Sequence, residues 1–166
     1  MKLDDKIWTE VDTLIPGWMS KAEAEFLIEN IEDGHYLEIG VAFGKSMRLV
    51  RMHFPNAIIG GIDLINHGTD KKIDRVNVYY GDANNYMMSD RSLDTLFIDG
   101  NHTYKGCLSD YVHWYNKVRI GGKIIFHDYG RPTREHEGVT QSVDAIKSML
   151  SDFKSINYIA CGTKTY

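Results

Sequence analysis

Apolar residues along the 166-residue chain recur in two alternating patterns. From 20 to 33, Ala24, Leu27, Ile28 and Ile31 follow helical spacing. Ser20 stands three residues before Glu23, as in a capping box, and Asp33-Gly34 ends the segment. Beyond it, short runs that are apolar almost throughout alternate with helical stretches. Residues 36–40, 58–63, 76–80, 95–99 and 123–126 read as strands, the last opened by Gly121-Gly122. Residues 45–54 read as a helix with Met47, Val50, Arg51 and Phe54 on one face and Pro55 as its stop. A short helix is expected over 83–89, a long one over 104–118 carrying Leu108, Tyr111, Val112 and Tyr115, and another over 139–150. Residues 153–166 hold one or two final strands.

Strand–helix alternation with nearly all-apolar strands predicts an α/β fold, a mostly parallel sheet of six to seven strands with helices on both faces. The length supports one domain over 1–166, an N-terminal helical segment (1–33) leading into a core (34–166). Such sheets bind ligands beyond the carboxyl ends of their strands. The positions there are 38–44, Asp63, Gly81-Asp82, 99–102 and 127–129, and four of these five carry an acid at or just after the strand end. Helix capping by Asp explains some of these acids but not so regular a set.

Composition narrows the function classes. Apolar residues at 43% and charged ones at 25% fit a soluble globular chain. With 23 acidic and 19 basic residues, a net charge of −4 gives no support for nucleic-acid binding. Cys107 and Cys161 lie far apart, without metal-ligand or disulfide-scaffold spacing, so a reducing, cytoplasmic location is expected. No stretch approaches the ~18 consecutive apolar residues of a membrane span.

The first strand–turn–helix, YLEIGVAFGKS, admits three nucleotide-binding readings besides a plain turn with glycines for geometry. A phosphate-binding P-loop needs four residues between its first glycine and Gly-Lys-Ser, and here there is one fewer between Gly40 and Gly44. The dinucleotide fingerprint needs a middle glycine where Ala42 stands. The third is E-x-G-x-x-x-G. Glu38 would repel a pyrophosphate but suits a cationic amino group, and the helix start from Gly44 to Ser46 suits a carboxylate. S-adenosylmethionine carries both groups. Asp63 follows Gly40 by about 20 residues, the position of an acid that binds a ribose diol. In Gly81-Asp82-Ala83, Asp82 can take an adenine amino group or cap the next helix, and the two roles can coexist.

With these residues the sequence resembles the class I S-adenosylmethionine-dependent methyltransferases, motif I lying at 36–46 and motif II at Gly61-Ile62-Asp63. More narrowly, DTLFIDGNHTY, a long helix and GGKIIFHDYG resemble metal-dependent O-methyltransferases of small molecules and sugars, catechol-type and macrocin-like, over about 34–162. The resemblance implies a Rossmann-like sheet with an antiparallel last strand. It implies a cofactor held by Glu38, Gly40, Ala42, Gly44, Ser46, Asp63, Asp82 and Ala83. It also implies a divalent cation, usually magnesium, on Asp99 and Asp128 with His127 in the first position of the pair. A histidine ligand would move preference toward manganese, iron or zinc, while His127 is equally open to being a strand-end side chain bonded to backbone. Some sugar-modifying relatives use a histidine at the place of His102 as general base, and the resemblance makes Asp99 catalytic with it as well as a cation ligand. Tyr104 can line the acceptor pocket, and the polar loop 130–138, with Arg131 and His136, can bind a polyol or be a solvated turn.

The expected activity is methyl transfer to a hydroxyl of a small-molecule or sugar acceptor. Its rivals are a nicotinamide-dependent oxidoreductase, a non-catalytic binding module and a metal-dependent hydroxylase. Trp8 and Trp18 either lid the pocket or cover the sheet edge. The chain stops while the last strand should still be running, so either that strand is short or a neighbouring subunit, as in a homo-oligomer, covers an exposed edge.

Overall fold

The computed structural model describes residues 2–166. The apolar runs become β1 (His35–Ile39), β2 (Ile58–Asp63), β3 (Val76–Tyr80), β4 (Leu93–Ile98) and β5 (Val118–His127), and the C-terminal stretch forms β6 (Leu150–Ile156) and β7 (Ile159–Lys164). They join in one seven-stranded sheet, ordered β3-β2-β1-β4-β5-β7-β6. All pairings are parallel except those of β7, which runs antiparallel to β5 and β6. The fold is Rossmann-like, as expected.

Successive strand residues serve opposite faces. Tyr36, Phe97 and Ile125 meet Leu27 and Ile28 of α2 (Lys21–Asn30) and Met47 and Val50 of α3 (Lys45–His53). Their neighbours Leu37, Leu96 and Ile124 meet Tyr111 and Trp114 of α4 (Tyr104–Tyr115) and Val139 and Val143 of α5 (Glu137–Ile146). Both faces are therefore dry, which is why the strands read as continuous apolar runs rather than alternating ones. Each fully buried aliphatic side chain contributes about 1.5–3 kcal/mol. The capping box forms as predicted, with the Ser20 hydroxyl and the Glu23 carboxylate each engaging the other's backbone.

The departures are local. Residues 83–89 form only a single 3-10 turn, Ala83–Asn85, because the Asp82 cap is followed by Asn84 and Asn85, which favour turns over helix interiors. β5 begins well before Gly121-Gly122, and Gly121 (φ +80°) sits within the strand. Within the N-terminal helical segment a first helix, α1 (Asp5–Leu14), whose bounds the sequence did not mark, is capped by Asp4 and packs on α3. Trp8 therefore rests against the core beneath α1, with the Lys45 ammonium 5.4 Å from its ring, and not on a sheet edge. Trp18 is 74% exposed at the mouth of the main cavity.

The last strand is not an edge. β7 is paired on both sides, and the edge strand is β6. That edge is interrupted between Ser151 and Lys154, where Asp152 takes φ +50°. A charged bulge of this kind blunts edge-to-edge pairing without any partner.

Candidate active site

The sheet's order reverses at β1. The chain runs from β1 outward through β2 and β3, then returns to place β4 on the other side of β1. The loops leaving β1 and β4 part there and open a crevice. Gly40 and Asp99 are the first residues beyond these strands. The Asp99 amide donates to the Ile39 carbonyl at 2.8 Å, and Gly40 takes φ +86°. A Cβ on Gly40 would lie 2.0 Å from the Asp99 carbonyl oxygen. The first glycine is therefore required by a close backbone approach.

A cavity of about 1110 Å³ occupies this crevice, and the predicted cofactor, metal and catalytic residues line it, whereas Tyr104, expected to line the acceptor pocket, is not among its lining residues and is exposed. At its β1–β2 end the turn from Gly40 to Gly44 is held in three left-handed conformations, at Gly40, Ala42 (φ +46°) and Gly44 (φ +81°). Asp63 ties this turn to the loop after β2, its carboxylate accepting from the amides of Ala42 and Ile65, both at 2.7 Å. Gly44 starts α3 without a side-chain cap. Asp82 caps the turn at Ala83, accepting from the Asn84 amide at 2.9 Å.

Glu38 is buried and accepts from the Tyr36 hydroxyl at 2.8 Å and the Ser46 hydroxyl at 2.5 Å. The Ser46 hydroxyl is thus committed to Glu38, and Tyr36 is a site residue that the sequence did not single out. Burial pushes the Glu38 carboxyl up to about 8, in spite of both hydroxyl donors. It is neutral in the folded protein near pH 7 and ionises freely when unfolded. Its stabilising contribution is complete below about pH 4.5 and is lost as pH rises through about 8. Glu38→Gln should flatten the pH dependence of the unfolding free energy of the cofactor-free protein over this window, by an amount on the order of a few kcal/mol. Urea unfolding at both ends of the window measures it, and an unchanged slope would place the titration elsewhere.

The other end of the cavity gathers the remaining candidates. Nδ1 of His127 lies 3.2 Å from Oδ1 of Asp99 and 3.5 Å from Oδ2 of Asp128. Nε2 of His102 lies 3.3 Å from Oδ2 of Asp128 and 3.8 Å from Oδ1 of Asp99. His127 bonds to a carboxylate, not to backbone. Donor atoms of Asp99, His127 and Asp128 fall within 4.8 Å of one another, and so do those of His102, Asp128 and His136. Carboxylates and imidazoles crowded this closely, with Asp128 buried, fit a divalent cation by their chemistry. They also perturb one another. Burial pushes the Asp128 carboxyl up, but His127 and Arg131 outweigh it and hold it well below the usual carboxylate range. Asp99 first, then Asp128, raises the His102 pKa above its ordinary value against the effect of burial.

Three further residues join this cluster. Arg131 donates to Oδ1 of Asp128 at 2.6 Å, His136 faces Oδ2 at 3.5 Å, and Glu23 of α2 approaches Nε2 of His127 at 4.0 Å. The position of the 130–138 loop just after the acid pair signalled Arg131 and His136. Glu23, far from His127 in sequence, carried no signal beyond its cap. Cys107 and Cys161 are buried free thiols. No helix among the described residues is long and apolar enough to cross a membrane.

Comparison with known proteins agrees with this geometry. A family model described as a methyltransferase domain matches residues 37–129, more than half of the chain, from β1 to just past the His127-Asp128 pair. An uncharacterised protein of Acanthamoeba polyphaga mimivirus is 26% identical over 145 residues, covering 76% of this chain and 64% of its own. Among solved structures, MycE, a methyltransferase of the mycinamycin biosynthetic pathway in complex with Mg and SAH, superposes with a TM-score of 0.69 at 20% identity, over 99% of this chain and 55% of MycE. Cofactor-bound Rv0187 from MTB gives 0.73 at 16% identity, over 96% and 90% of the two chains. The chain thus spans less than two thirds of the mimivirus protein and of MycE. The matched segment carries the glycine turn, Asp63 and the acids that end β4 and β5, and on it the chain belongs to the methyltransferase-domain family.

Proposed function

We propose that the protein transfers the methyl group of S-adenosylmethionine to a hydroxyl of a small-molecule or sugar acceptor, with a divalent cation held by Asp99, His127 and Asp128. The observation that carries this reading is the placement of Asp99, His102, His127 and Asp128 together at one end of the cavity whose other end is the Gly40–Gly44 turn. A cofactor seated on that turn would direct its reactive end toward the acidic cluster. MycE, of the same fold, was solved with Mg and SAH, which makes magnesium the first ion to try.

In the transfer, the sulfonium carbon–sulfur bond breaks as the carbon–oxygen bond forms, and the hydroxyl proton needs an acceptor. A cation at the carboxylates supplies Lewis acidity that makes an alcohol oxygen nucleophilic at neutral pH. Nε2 of His102 takes the proton, and the two carboxylates beside it stabilise the resulting imidazolium. Arg131 keeps the Asp128 carboxylate oriented toward the cluster. Reaction with methyl-labelled cofactor across a panel of sugars, phenols and small hydroxylated metabolites tests the reading by mass shift. Failure to bind S-adenosylmethionine in calorimetry would overturn it.

His102→Ala should lower kcat about 10²–10⁴-fold while leaving cofactor affinity unchanged. The acid limb of the pH–rate profile, set by a histidine whose pKa is raised by Asp99 and Asp128, should disappear with it. A variant that keeps this limb would show that the base is another group.

One observation favours a second reading. His102, Asp128 and His136 together form a two-histidine, one-carboxylate set, the ligand pattern of ferrous oxygenases. Iron in metal analysis of the purified protein, with oxygen consumption in place of methyl transfer, would favour it.

A further inference from the structure

We propose that the cation site is a mixed nitrogen–oxygen centre, in which Glu23 of α2 holds His127 with Nδ1 turned toward Asp99 and Asp128, and that it takes a transition ion of the manganese, iron or zinc class in preference to magnesium. This rests on the divalent cation of the proposed function and names its chemistry.

His127 is 5% exposed, with Nε2 buried in protein while the residue lines the cavity. Nδ1 faces the two aspartates, at 3.2 Å and 3.5 Å. Nε2 is buried without a hydrogen-bond partner among the described residues, and Oε2 of Glu23 lies 4.0 Å from it. A ring that ligates a cation through Nδ1 must carry its proton on Nε2. That proton then points at a carboxylate. The opposite tautomer would set the bare lone pair of Nε2 against the same carboxylate in a dry interior, where the repulsion is poorly screened. Glu23 therefore selects the tautomer that presents Nδ1 to the cluster, the carboxylate–histidine–metal arrangement by which outer residues orient metal ligands.

Glu23 is itself held by hydrogen bonds. It is 2% exposed, Oε2 accepts from the Ser20 amide and hydroxyl, both at 2.7 Å, and Oε1 accepts from the Tyr158 amide at 3.2 Å. The helix cap and the turn between β6 and β7 thus fix the carboxylate that fixes the histidine. Glu23 is a positioning residue. The consequence for ion choice follows from ligand type. An imidazole in place of a third oxygen suits manganese, iron or zinc, whereas magnesium prefers an all-oxygen shell.

Direct cation binding tests this without recourse to turnover. Chelator-stripped full-length protein is titrated calorimetrically with Mn(II), Zn(II) and Mg(II), and bound Mn(II) is followed by its paramagnetic resonance. Mn(II) and Zn(II) should bind at least about 100-fold more tightly than Mg(II), and His127→Asp should narrow that gap by at least about tenfold. Glu23→Gln should weaken Mn(II) binding about 10–100-fold. Asp4→Ala, which removes the cap of α1 and touches neither Glu23 nor His127, should lower stability by about 1 kcal/mol and leave Mn(II) affinity within about twofold. Mg(II) binding as tight as Mn(II), or an Asp4→Ala defect in Mn(II) affinity equal to that of Glu23→Gln, overturns this inference and leaves the proposed function standing. Binding of none of the three ions overturns both this inference and the cation in the proposed function.

Discussion

Asp128→Asn is expected to give a folded protein that still binds S-adenosylmethionine and has lost methyl transfer by at least about 10³-fold, the several kcal/mol that Lewis-acid stabilisation of an oxygen nucleophile supplies. Asp128 is the hub of the cluster. One carboxylate oxygen accepts from Arg131 at 2.6 Å, and the other faces His102 at 3.3 Å and both His127 and His136 at 3.5 Å. Its backbone takes φ +60°, a conformation that most side chains avoid and that Asn tolerates nearly as well as Asp. Asn therefore keeps the shape, removes the charge and isolates the chemistry. Arg131 is partly exposed and can turn to solvent, so thermal unfolding should shift little beside the loss of turnover. Excess chelator should reproduce the variant's phenotype in the wild type, and chelation should change nothing further in the variant. Turnover by Asp128→Asn within tenfold of wild type would remove the cation from the mechanism.

The same residues mark where the sequence was readable. β2 and β3 fall where their apolar runs lie because each strand is short and bounded by turn residues. The glycine turn was legible through Gly40, which only a close strand crossing explains, and Asp63 through its distance from that turn. The bounds of α1 were not read. Ile7, Val11 and Leu14 are spaced for a helix behind Asp4, but only Val11 is fully buried, so its apolar stripe is thin and lies among charges. β5 was read too short because Gly121-Gly122 looks like punctuation, yet here glycine at φ +80° lies in an irregularity within the strand, across which the pairing with β4 shifts register between Val118 and Lys123. Of the cluster, Asp99, His102, His127 and Asp128 could be named because each closes or follows a strand. Glu23 could not. Its role depends on packing α2 against the end of β5, and no local pattern encodes a contact between segments so far apart in the chain.

Gly40→Ala should be the most destabilising single-methyl substitution in the site, by about 3–6 kcal/mol, and a comparison with Gly68→Ala separates its two causes. Both glycines have positive φ, +86° and +68°. An added Cβ at Gly68 meets nothing within 4 Å, so that variant carries the left-handed penalty alone, about 1–2 kcal/mol. At Gly40 the Cβ would lie 2.0 Å from the Asp99 oxygen, 2.4 Å from its carbonyl carbon and 2.8 Å from Cα of Gly100. These are backbone atoms, and no rotamer relieves the overlap. The ends of β1 and β4 must separate, which strains the 2.8 Å hydrogen bond from the Asp99 amide to the Ile39 carbonyl and displaces the Asp99 side chain from His127. A displacement of about 1 Å at a reacting group costs on the order of 10² in rate, so any folded fraction of Gly40→Ala should be deficient in turnover, whereas Gly68→Ala should not. Urea unfolding and kcat measured on both variants give the comparison. If Gly40→Ala loses no more stability than Gly68→Ala, the close strand crossing does not constrain the switch point, and the coupling drawn here between the cofactor turn and Asp99 fails with it.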